Sequence, residues 1–118
     1  MSRDLRLYLE NISVSILKIE AYIANTDTLE AFTQDGKTFD AVVMNLQVIG
    51  ESIKQIPNGV RDAYPQIAWK SIAGLRDISS HTYDLLEEEI IWDAVKNELP
   101  QLRSCIDQMK ADLPESSD

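Results

Sequence analysis

A chain of 118 residues has room for one domain with one core, not two. With 44% hydrophobic and 26% charged residues the composition is that of a globular protein and excludes a disordered one. A net charge of −9 argues against broad electrostatic adhesion to nucleic acid or anionic lipid; nucleic-acid chemistry would need a local basic patch, or one concentrated by dimerisation.

No apolar run approaches the roughly 18 residues that span a bilayer. Met1-Ser2-Arg3-Asp4 leads straight into a charged amphipathic stretch, without the apolar core and cleavage site of a signal peptide, so a cytoplasmic protein is expected. Cys105 and His81 are the only residues of their types, which excludes an intrachain disulfide and a zinc site within one monomer. Cys105 falls among Leu102, Ile106 and Met109 at helical spacing and reads as a small core residue, not a nucleophile.

In chain order, Leu5, Tyr8, Ile12, Ile16, Ile19 and Ile23 recur at steps of three and four, a helix period. Such a helix, from Arg3 to Ala24, would run about 33 Å. A second apolar set, Leu7, Val14, Leu17, Ala21 and Ala24, lies largely on its opposite side. One stripe suffices for a monomeric surface helix; two suggest cover by the bundle on one side and by a partner subunit on the other.

Thr26 to Glu30 reads as a turn into a short helix anchored by Phe32, and Asp35-Gly36 then breaks the chain. Phe39, Val42, Val43, Leu46, Ile49, Ile53 and Ile56 form a second long stripe, ended by Pro57-Asn58-Gly59. A short turn around Val60 to Tyr64 stops at Pro65. Trp69, Ile72 and Leu75 begin a segment that carries Arg76. Asp84, with Glu87 three residues on, suits the start of a further helix burying Leu86, Ile90, Ile91, Ala94 and Val95. Pro100 either kinks this helix or opens a final one with Leu102, Ile106, Met109 and Leu113. The expected architecture is all-α, four or five packed helices over residues 1–113, with 114–118 a disordered tail.

The segment Arg76-Asp77-Ile78-Ser79-Ser80-His81-Thr82-Tyr83 gathers the residue types of acid–base chemistry where the helical pattern breaks. On one continuous helix Arg76 and His81 would stand about 140° apart, so a shared site requires a bend, which Asp84 as a new N-cap would supply between Ser80 and Asp84. A histidine can take the proton of a ribose 2′-hydroxyl or give one to the leaving oxygen. An arginine can hold the scissile phosphate and stabilise the charge that develops on it. Asp77 could orient either. Each chain has one histidine, and a two-fold dimer would bring a second. On residue types alone other roles stay open: His81 as a structural cap, Tyr83 as a half-buried aromatic, Arg76 in a surface ion pair with Asp77 or Glu87.

Arg76-x4-His81-x-Tyr83 resembles the R-x4-H-x-Y motif of the HepT-like ribonuclease toxins of the HEPN superfamily. The stretches from Asn45 to Pro57, Tyr64 to Asp77 and Ile90 to Leu102 resemble that family's sequences in the right order, and the resemblance covers about residues 5 to 110. It implies an antiparallel HEPN-like helical bundle that forms a homodimer, with Arg76 and His81 as catalytic residues at a cleft on the dimer interface and Asp77 and Ser80 in support. It implies metal-independent endoribonuclease activity on RNA rather than DNA, with no cofactor, as the toxin of a toxin–antitoxin pair. It further implies a minimal nucleotidyltransferase antitoxin that transfers AMP to Tyr83, where phosphate charge beside His81 would exclude an RNA phosphate. The alternative is a non-catalytic helical dimer that docks the nucleotidyltransferase. Two features depart from the pattern: Asp77 stands where relatives often carry Asn, and Glu87-Glu88-Glu89 makes the following segment acidic.

Overall fold

The computed structural model describes residues 2–77 and 85–114, and every regular element among them is helical. Helix α1 (Ser2–Tyr22) lays Leu9, Ile12, Ile16 and Ile19 fully into the core. Full burial of such side chains stabilises by about 1.5–3 kcal/mol each. Leu9 belongs to this face although it is not among the six residues of the sequence stripe, while Leu5, Tyr8 and Ile23 are only partly buried. The second stripe is uncovered in the single chain: Leu7, Val14 and Leu17 are 57%, 47% and 50% exposed.

The connection after α1 is built by caps. Thr28 accepts a hydrogen bond from Ala31 N–H at 3.1 Å and starts α2 (Leu29–Gln34), whose Phe32 is fully buried against Phe39 and Trp92. Asp35 accepts from Thr38 N–H at 3.2 Å and from the Thr38 hydroxyl at 2.7 Å, and so opens α3 (Gly36–Gln55). These bonds hold its carboxyl below the usual carboxylate range. Helix α3 packs along α1 through Val42, Val43, Leu46, Ile49 and Ile53. Asn45 is buried in α3 and donates to the Ala41 carbonyl at 2.9 Å, so its amide is not left unpaired.

Pro57 ends the α3 segment as expected and caps the short α4 (Asn58–Asp62). Trp69 donates its indole N–H to the Tyr64 carbonyl at 3.0 Å and opens α5 (Trp69–Ala73). Leu85–Asp93 form α6, which passes through a wider π turn (Ala94–Glu98) and continues as α7 (Leu99–Asp112). The π turn gives Pro100 its setting. Proline lacks an N–H and its ring collides with the carbonyl four residues back; a wider turn just before it relieves that collision, and the helix runs on with Pro100 in its first turn. Three contacts make α7 antiparallel to α1: Arg103 with Glu20 at 2.8 Å, Lys110 with Glu10 at 3.0 Å, and Arg6 donating to the Pro114 carbonyl at 3.3 Å.

One core expectation fails on α6. Ile91, Ala94 and Val95 are buried, but Leu86 and Ile90 are 64% and 48% exposed. Ile90 and Ile91 are neighbours about 100° apart on a helix, so one narrow core-facing stripe cannot take both. Cys105 is buried as expected, and burial pushes its thiol pKa up, away from a reactive thiolate. No helix among the described residues is long and apolar enough to cross a membrane.

Candidate active site

Arg76 lies in a 3-10 turn, Gly74–Asp77, that follows α5 without a break. Leu75 points into the core, 6% exposed, and anchors the turn, which leaves Arg76 at the rim of the bundle. The turn sits directly on α3 at Gly50. A Cβ at Gly50 would stand 2.8 Å from the Ala73 carbonyl oxygen and 2.9 Å from the Arg76 Cβ. The two backbones therefore touch because residue 50 has no side chain. Glycine inside a helix costs about 0.5–1 kcal/mol against alanine, and the close approach is its compensation.

Two carboxylates hold the Arg76 guanidinium. Nη1 donates to Glu51 Oε2 at 3.1 Å, and Nε lies 3.6 Å from Asp77 Oδ1. The Arg76 side chain is 32% exposed, those of Glu51 and Asp77 60% and 76%. The guanidinium is thus hydrogen-bonded at Nη1 and ion-paired at Nε, and among the described residues Nη2 is unpartnered.

Arg76 and Asp77 stand together, as the sequence suggested, with Asp77 in the ion pair. Glu51 takes the main contact, and sequence reasoning missed both it and Gly50. A signal for Gly50 was present: a lone glycine inside an apolar helical run, Ile49-Gly50-Glu51, is costly unless something packs against it. Ser80, His81 and Tyr83, with the bend expected between Ser80 and Asp84, lie outside the described residues. Beyond them, α6 and the π turn bring Glu89, Asp93 and Glu98 to a groove beside Leu75. Burial first, then the charge of Asp93, raises the Glu98 pKa. Among the described residues no group of three His, Cys, Asp or Glu side chains is placed to hold a metal ion.

These features define a class: a small helical protein that presents a guanidinium on a tight turn immediately before a segment carrying its one histidine. The family described as Ribonuclease HepT-like matches residues 12–109. The chain is 37% identical to "Putative RNase MJ0127" of Methanocaldococcus jannaschii, over 94% of this chain and 91% of that protein. It is 34% identical to "Probable ribonuclease HepT" of Thermococcus cleftensis, over 93% of this chain and 99% of that one. No solved structure matches. The chain belongs to the HepT-like ribonuclease family, as the motif and its flanking stretches implied.

Proposed function

We propose that this protein is a metal-independent endoribonuclease, the toxin of a toxin–antitoxin pair, acting in the cytoplasm as a homodimer. The observation that carries the reading is Arg76: a partly exposed guanidinium paired with two carboxylates, on the turn that precedes His81 in sequence, in a chain of a ribonuclease family. His81 takes the proton of the ribose 2′-hydroxyl, and the 2′-oxygen attacks the adjacent phosphorus. The P–O5′ bond breaks, and the departing 5′-oxygen receives a proton from the second copy's histidine. Arg76 binds the phosphate and stabilises its added negative charge, with Asp77 and Ser80 in support. The products carry a 2′,3′-cyclic phosphate and a free 5′-hydroxyl.

The uncovered stripe Leu7, Val14 and Leu17 supports the dimer, because a two-fold partner can bury it. A nucleotidyltransferase antitoxin neutralises the enzyme by transferring AMP to Tyr83, placing phosphate charge next to the catalytic histidine. Purified protein is expected to cleave RNA in EDTA and leave cyclic phosphate ends. His81→Ala is expected to abolish cleavage and relieve growth arrest. Wild type and His81→Ala that are equally toxic, or equally inert on RNA, would reject the proposal. The inert outcome favours the second reading, a non-catalytic dimer that docks the nucleotidyltransferase, which the two carboxylates already on Arg76 also suit.

A further inference from the structure

We infer that Glu51 is a positioning residue for the cleavage site: from α3 it holds the Arg76 guanidinium at the angle from which it meets the scissile phosphate, and Gly50 beside it lets the arginine-bearing turn close onto α3. This rests on the ribonuclease reading proposed above.

The two carboxylates on Arg76 are not equivalent. Asp77 is the next residue in the same four-residue turn and moves with it, so it cannot fix the guanidinium relative to the rest of the bundle. Glu51 is 25 positions away, in the 20-residue helix that forms the centre of the core. Its contact, at 3.1 Å, ties the reactive end of Arg76 to a rigid element. The backbone contact at Gly50 ties the Arg76 main chain to the adjacent residue of that helix. Main chain and guanidinium are thereby registered on consecutive residues, Gly50 and Glu51.

Stability does not account for the pair. Glu51 is 60% exposed, and exposed ion pairs contribute little because solvent screens them. A second carboxylate also works against binding a phosphate, since it repels the anion. What the contact does supply is orientation. Arginine has a long flexible stem, and a functional group held by its neighbours avoids the loss of order otherwise incurred when the transition state forms. The hydrogen bond to Glu51 occupies Nη1 and the Asp77 carboxylate lies beside Nε, so among the described residues Nη2 is left to face the phosphate.

The test is a double-mutant cycle on RNA cleavage with the full-length chain, joined to an NMR measurement on the arginine itself. Glu51→Ala is expected to lower kcat about 10- to 100-fold with KM within about threefold, and to move the melting temperature by only a few degrees. Glu51→Gln, which keeps an acceptor oxygen, is expected to recover most of the rate. In an Arg76→Ala background, Glu51→Ala is expected to cause no further loss, because its effect passes through the guanidinium. Separate Nη1 and Nη2 signals of Arg76 in the wild type are expected to merge in Glu51→Ala as the guanidinium becomes free to rotate.

Faster cleavage by Glu51→Ala would overturn the inference in favour of a restraining role. Losses that multiply in the double variant would overturn it too, as would Nη signals that stay separate in Glu51→Ala while the wild type cleaves normally. Those results leave the ribonuclease reading standing. A wild type that cleaves no RNA overturns both together.

Discussion

Helix α3 makes two contacts of opposite character. Against α1 it presents Val42, Val43, Leu46, Ile49 and Ile53, none more than 1% exposed, and meets Leu9, Ile12, Ile16 and Ile19. Against the turn carrying Arg76 it presents Gly50 and Glu51, one residue with no side chain and one with a charge. The first contact buries large apolar side chains and supplies stability in proportion to the area removed from water. The second rests on one buried apolar side chain of the turn, Leu75, and otherwise joins backbone to backbone and charge to charge. On the reading proposed above, one helix separates two tasks, holding the chain folded on one side and orienting Arg76 on the other. The contrast predicts that lesions on the two sides fail in different assays.

The largest expected effect on stability comes from the apolar side. Ile16→Ala should cost about 2–5 kcal/mol in urea unfolding, with cleavage per folded molecule unchanged below the transition. A loss of specific activity out of proportion to unfolding would show that the two contacts are not separable. On the other side, Arg76→Ala should lower kcat/KM by about 100- to 1,000-fold while the melting temperature barely moves, since both its ion pairs are exposed.

Gly50→Ala sharpens the comparison because it touches both. The added methyl must push the Ala73 carbonyl and the base of Arg76 outward, at a cost of about 1–3 kcal/mol, and should reduce cleavage as well. Gly59→Ala is the control: nothing lies within 4 Å of a Cβ built there, so cleavage should stay at wild type and stability should hold or rise slightly.

The smallest effect lies far from either contact, where the Tyr64 hydroxyl donates to Asp112 at 2.5 Å. That bond, and then the one from Gln108, lowers the Asp112 pKa below 3.8, so its contribution is present above that value and lost as the pH falls below it. The same bond is the main cause that raises the Tyr64 pKa from 10.0 to about 12, so that contribution is present below pH 10 and lost as the pH climbs towards 12. Tyr64→Phe should flatten both limbs of the melting temperature against pH measured by calorimetry. Unchanged limbs would show that the bond contributes nothing in solution.

Much of the fold was legible because it follows local rules. The turn into α2, the break at Asp35-Gly36, the stop at Pro57 and the α1 and α3 stripes were all read from the sequence, whereas the caps that Thr28 and Asp35 form were not. The rest depends on partners distant in sequence. Leu86 and Ile90 carry apolar side chains at helical spacing, yet the bundle leaves them exposed. The π turn before Pro100 is one of several ways to accommodate a proline, and the sequence left kink and new helix open. At the site, residue types marked Arg76 and Asp77, but no spacing rule reaches 25 positions back to Glu51.

The central claim is that the guanidinium of Arg76 acts on the scissile phosphate. Cleavage of RNA in EDTA by Arg76→Ala, with and without added guanidinium ion, tests it most directly. A severe loss in the variant is expected, with partial return of rate when guanidinium is supplied in solution. Cleavage by Arg76→Ala at the wild-type rate would contradict it.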